Sequence, residues 1–172
     1  MKNALEANLT KVQTLVGVKF IALLGIATFL PMIIHIQWLT GPIVNAVLII
    51  AVVVVGVREA LLIALVPSSV ALAAGLLLPP LAPMVPFIMM GNALLIWVFD
   101  MLRDKNYWLA IIVAGVIKFV WLYSIVHLLM GNFLADTLLS GLAVMMSWPQ
   151  LITALMGGVI AWGFLKWLKF KV

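Results

Sequence analysis

The chain has no cysteine among its 172 residues, and only five acids, two histidines and two tyrosines. Without cysteine there is no disulfide and no thiolate metal site. Two histidines and five acids leave little for a metal centre or a proton relay. No HExxH, no GxSxG and no Walker A lysine loop occurs, and no pair of carboxylates falls inside an apolar run. Charged residues make up only 9% of the chain. A soluble domain of this length needs a charged surface, and this chain does not supply one. What is present instead is apolar: 67% hydrophobic residues and a mean hydropathy of +1.32. The natural solvent for most of the chain is lipid.

A helix needs about 20 mainly apolar residues to cross a hydrocarbon core of roughly 30 Å. The runs read as six such spans, an all-α integral membrane protein. Residues 1–14 read as a cytoplasmic amphipathic leader and residues 15–172 as a single transmembrane domain. No cleavable signal peptide is evident. The first span covers Leu15 to Ile36, interrupted late by Pro31. The segment Gln37-Trp38-Leu39-Thr40-Gly41-Pro42 reads as a turn with an interfacial Trp. The second span, Ile43 to Val57, is short and rich in β-branched residues, which are tolerated because only a helix satisfies its own backbone in lipid. The third, Ala60 to Leu78, is expected to break at Pro67-Ser68-Ser69, with the serines bonding carbonyls that the proline frees. An uncharged Pro-rich connection then leads to the fourth span, Val85 to Leu102. The fifth runs from Tyr107 to Met130. A longer connection from Gly131-Asn132 includes Asp136 and an apolar piece, Thr137 to Met146. That piece reads as a re-entrant helix, an interfacial helix or the upper part of a bent last span. Ser147-Trp148-Pro149 opens the final helix, with proline in the first turn.

Charge sets the orientation. With both termini in the cytoplasm, nine of the ten Lys and Arg residues fall on the inner side: Lys2, Lys11, Lys19, Arg58, Arg103, Lys105, Lys166, Lys169 and Lys171. The outer loops carry none. This satisfies the positive-inside rule and supports an even number of spans. The basic residues sit at membrane edges and meet anionic headgroups, so the net charge of +5 is no nucleic-acid signature. The expected location is the inner or plasma membrane.

The tenth base, Lys118, falls within the fifth span, too deep to snorkel with ease. A charge there costs several kcal/mol or more and normally faces protein or a wet cavity. It reads as a ligand-binding ammonium, or else as a locally paired lysine. Asn92, after Gly91, offers a donor and an acceptor to a ligand or to a neighbouring helix. Further candidates are Tyr123 and His127 toward the outer mouth, Trp121 as a stacking platform one turn from Lys118, Gln150 on the last span, Asn45 in span two and Trp38 as a lid. His35 and Gln37 share the outer end of span one. The remaining tryptophans read mainly as belt or packing residues. Ala22, Gly25, Ala27, Ala60 and Ala64 are small residues that serve either internal packing or docking of another membrane protein.

Several segments together resemble the substrate-binding S components of energy-coupling factor (ECF) transporters, in the hydroxymethylpyrimidine or vitamin-precursor branch. They are Gly41-Pro42-Ile43-Val44-Asn45-Ala46, the Pro-rich loop leading to Pro86-Phe87 and Gly91-Asn92, Ala114-Gly115-x-x-Lys118, and Pro149-Gln150-Leu151-Ile152-Thr153-Ala154-Leu155-x-Gly157-Gly158. The resemblance implies a six-helix bundle, not itself an enzyme, that captures a small nutrient in an outward-facing pocket. It implies a membrane coupling subunit and two cytoplasmic ATPases as partners. The chain itself would need no cofactor, because ATP is used by those partners. The family's docking face on span one commonly carries AxxxA; here Ala22, Gly25 and Ala27 stand without an Ala pair four apart. The rival readings are a small membrane enzyme subunit, with Lys118, His127 and Asp136 as polar centres, and a structural scaffold with no small-molecule ligand.

Overall fold

A computed structural model describes residues 2–34, 36–73, 75, 79–128 and 136–172. His35, Ala74 and the connection at 129–135 lie outside the described residues. Among the described residues the chain forms seven α-helices and no strand. They are α1 Lys2–Ile33, α2 Gln37–Val54, α3 Val57–Ala73, α4 Val85–Arg103, α5 Tyr107–Leu128, α6 Asp136–Met145 and α7 Trp148–Trp167, with a 3-10 turn at Pro79–Met84 before α4. Among the described residues, four stretches are long and apolar enough to cross a membrane: Lys11–Ile33, Ala82–Arg103, Tyr107–Leu128 and Ala143–Trp167. The other two long helices, α2 and α3, are only about 27 and 26 Å long at 1.5 Å per residue.

α2 is the central post. Its residues Ala46 through Val52 are all buried, on every side of the helix. A helix apolar all round belongs inside a protein, and α2 packs against α1, α3, α4 and α7. Gly56, with φ +106°, ends it: the Gly56 and Val55 N–H groups both donate to the Ala51 carbonyl. The left-handed backbone there suits glycine. α3 starts at once, folding α2 and α3 into a hairpin.

Two expectations about proline are corrected. Gln37-Trp38-Leu39-Thr40-Gly41-Pro42 is not a turn but the start of α2, because Thr40 donates to the Ile36 carbonyl through both its N–H and its Oγ1. Pro67 does not break α3, which is continuous from Val57 to Ala73. Ser69 Oγ donates to the Leu65 carbonyl at 3.0 Å. That carbonyl is not the one a missing Pro67 N–H leaves, since Pro67 would have bonded Ile63. Pro31 likewise lies within α1. Pro149 sits in the first turn of α7, as expected. The apolar piece after Asp136 is a separate ten-residue helix, α6, packed on α5, α7 and the 3-10 turn.

Helix directions follow from paired residues. Asn92 meets Lys118, and Phe99 meets Tyr107, so α4 and α5 are antiparallel. Tyr107 donates to the Gly158 carbonyl, and Gly115 faces Ala154, so α5 and α7 are antiparallel. Trp38 faces Trp148, and Asn45 faces Gly157, so α2 and α7 run parallel. The C-terminal ends of α2, α4 and α7 therefore share one end of the bundle. Arg58, Arg103, Lys105, Lys166, Lys169 and Lys171 gather there.

Close helix approach is visible at Gly158, where a Cβ would stand 2.5 Å from Ile111 Cγ2; at Gly163 it would meet nothing within 4 Å. Gly158→Ala is expected to lower stability by about 1–3 kcal/mol through overpacking. Gly163→Ala should leave it unchanged or raise it slightly. Thermal unfolding in detergent of both variants checks the α5–α7 contact; equal midpoints would refute it.

Candidate functional site

The middle of the bundle holds a polar knot. Lys118 Nζ donates to Asn45 Oδ1 and to Asn92 Oδ1, each at 2.7 Å. Asn45 Nδ2 donates to Thr153 Oγ1 at 3.5 Å, and Thr153 Oγ1 donates to the Gln150 carbonyl at 3.1 Å. Four helices, α2, α4, α5 and α7, each contribute one side chain. Exposure is 2% for Asn45, 5% for Asn92, 4% for Lys118 and 3% for Thr153. Lys118 is the twelfth of 22 residues in α5, so the ammonium lies near mid-helix.

No acid among the described residues pairs with this cation. Among the described residues the ion pair is Asp100–Arg103, at 3.0 Å on the basic end. The two amide oxygens are charge-assisted acceptors, each offsetting part of the desolvation cost. An ammonium has three donors. Two are used here.

Glycines make these short side chains reach. Each knot helix carries one within about a turn of its polar residue: Gly41 beside Asn45, Gly91 beside Asn92, Gly115 beside Lys118 and Gly157 beside Thr153. A Cβ at Gly157 would stand 2.6 Å from Asn45 Cβ and 2.8 Å from the Pro42 carbonyl oxygen. A Cβ at Gly41 would stand 2.9 Å from Thr153 Cγ2. At Gly91 and Gly115 the nearest atoms, in Leu122, Trp121 and Ala154, would be at 3.4 Å. The backbones approach where the amides must meet the ammonium.

The other candidates fall elsewhere. Trp121 Nε1 donates to the Phe87 carbonyl at 2.9 Å. Its ring lines an apolar groove of about 330 Å³ with Leu94, Val116, Ile117, Val120 and Ser124. Tyr123 is exposed and stacks on His127 at 4.0 Å, and the Tyr123 carbonyl accepts from His127 Nδ1 at 2.8 Å. Gln150 joins the knot through its carbonyl only; its side chain donates to the Met145 carbonyl at 3.2 Å. Trp38 pairs with Trp148 at 5.5 Å, both exposed, at the end opposite the basic cluster. That pair is roughly 10 Å along α2 from Asn45. Ala27, Ala60 and Ala64 are buried in the bundle, while Ala22 and Gly25 stay toward the outside of α1. Thr153 and Gly157 were not among the expected site residues. Their spacing of four, which puts a hydroxyl and a gap on one helix face, is the signal that could have found them.

Among the described residues no three of His, Asp and Glu come together to hold a metal. The chain matches no family model, no curated protein and no solved structure.

The knot predicts an asymmetry. Asn92→Leu leaves a buried ammonium with one fewer acceptor and should cost about 3 kcal/mol or more. Adding Lys118→Met to that variant removes the charge and should recover much of the loss. Reversible unfolding in mixed micelles measures both; a double variant less stable than Asn92→Leu alone would overturn the buried-cation account.

Proposed function

We propose that this chain is a capture subunit for a small polar nutrient, of the kind found in ECF-type importers. The observation that carries the reading is a central ammonium with amide acceptors from two further helices and no acidic partner among the described residues. Such a site has a cation and two amides to offer a compact ligand bearing a carboxylate, a carbonyl or a phosphate. In this reading all six long helices cross the inner or plasma membrane, with α2 and α3 as the two short spans. Both termini are cytoplasmic, because the ends of α2, α4 and α7 collect the Lys and Arg residues. The Trp38–Trp148 end faces outward and admits the ligand. A membrane coupling subunit and two cytoplasmic ATPases then drive its release inward, and the chain catalyses nothing itself.

Native mass spectrometry of gently extracted protein tests the site. A co-purified small molecule is expected on the wild-type chain. It should be lost from Lys118→Met, whose missing charged hydrogen bond lowers affinity about 10- to 100-fold. Wild-type protein that carries nothing, or a ligand held equally by Lys118→Met, would sink the reading in favour of a scaffold. Turnover of a substrate by the purified chain would sink it in favour of an enzyme. Topology is tested separately. Reporter fusions at residues 1 and 172 are both expected to be active only in the cytoplasm, and opposite locations would exclude six spans.

A further inference from the structure

The basic end carries several cations that make no ion pair among the described residues. Arg103 is held by Asp100, but Arg58, Lys105, Lys166, Lys169 and Lys171 make no ion pair among the described residues. The nearest acids by sequence are Glu59 and Asp104, beside Arg58 and Lys105. This end is therefore open to counter-charge from outside the protein.

One seam at this end is built from more than charge. Trp108 in the first turn of α5 and Trp162 in α7 face each other, with ring centroids 5.5 Å apart and a 41° tilt. They remain 44% and 36% exposed. Tyr107 holds the seam from behind: its ring meets Trp108 edge-on, and its hydroxyl donates to the Gly158 carbonyl at 2.8 Å. Lys166 follows Trp162 by four residues, on the same face of α7. Lys105 precedes Trp108 by three, just before α5 begins. Both lysines are exposed. Neither indole N–H has a protein acceptor among the described residues, whereas that of Trp121 donates to Phe87.

We infer that this seam between α5 and α7 is a binding site for an anionic glycerophospholipid. The phosphate and its negative headgroup lie between Lys105 and Lys166, and the two indoles sit at the level of the glycerol with their N–H groups turned to ester or phosphate oxygens. Tryptophan at a membrane interface and clustered Lys beside it suit this chemistry. A free phosphate would use the lysines but leave the exposed indole faces without an apolar partner, which is why the occupant is a lipid. The inference is independent of the nutrient site.

The test is native mass spectrometry of the full chain with phosphatidylglycerol and phosphatidylcholine of identical acyl chains. Each lysine near the surface is expected to contribute about fivefold. The wild-type chain should therefore retain phosphatidylglycerol at least fivefold more than phosphatidylcholine. Lys105→Gln with Lys166→Gln should bring the ratio close to one. Lys169→Gln with Lys171→Gln removes the same charge away from the seam and should preserve the preference. Trp108→Leu with Trp162→Leu should weaken retention of both lipids. Equal retention by the wild type would overturn the site. So would equal loss in the two lysine pairs, or displacement of the lipid by glycerol phosphate alone.

Discussion

The contact on which the rest of this structure depends is that of the Lys118 ammonium with the amide oxygens of Asn45 and Asn92. Three helices converge on one nitrogen, and Thr153 brings in a fourth through Asn45. Lipid offers no hydrophobic force to draw helices together, since acyl tails are as apolar as leucine. Association rests on packing and on polar contacts whose alternative is an unsatisfied group in hydrocarbon. The knot supplies the second at mid-helix. The glycines at 41, 91, 115 and 157 supply the first at the same level. The two are one device: without close backbones the amides would not reach, and without the amides a cation at this depth would have no acceptor.

α2 shows how the same logic shapes a whole element. Its run of Val, Ile, Leu and Ala is a poor helix sequence by propensity in water. In this setting it has no polar face to satisfy and no solvent to meet, so it becomes the post about which α1, α3, α4 and α7 are arranged. Asn45 is the buried polar residue of that helix, and it points into the knot. Gly56 then ends α2 on the side where the basic residues gather, so the two-residue turn into α3 coincides with the charged end of the bundle.

That Lys118 pairs with Asn45 and Asn92 was not legible in the sequence, whereas the helical segments, the start of α7 at Pro149 and the depth of Lys118 were. They are encoded by run length, charge position and the cost of a buried charge, all properties of one segment at a time. Azimuth was harder to read. At about 100° per residue, His127 lies roughly half a turn around α5 from Lys118, and Tyr123 about 140° away. Both share its helix but not its face, which is why they stack on each other at the surface instead of joining the ammonium. Trp121 is nearer in angle but turns to α4, where Phe87 offers a carbonyl. The prolines misled for a related reason. A Pro costs a helix one backbone bond, and in a packed bundle neighbouring contacts hold the segment straight through the gap. Which carbonyl Ser69 reaches depends on the turn it occupies, and it finds Leu65, not the carbonyl Pro67 leaves free.

Stability alone does not account for the knot. A buried set of polar and charged groups can often be replaced by well-packed apolar residues of similar volume with no loss, and sometimes with a gain. α2 shows that this sequence fills a helix interface with Val and Ile where nothing else is required. At the level of Lys118 it instead sets a cation with a third donor unmet among the described residues, beside two amides and a hydroxyl, roughly 10 Å along α2 from the tryptophan-paired end. Amides are weak partners for an ammonium compared with a carboxylate, so an incoming anion competes with them on favourable terms. A permanent ion pair to Asp or Glu would lock the bundle. In the proposed reading, the arrangement holds the charge in place through amides that an anion can displace, as a site that both takes up and gives back a ligand requires.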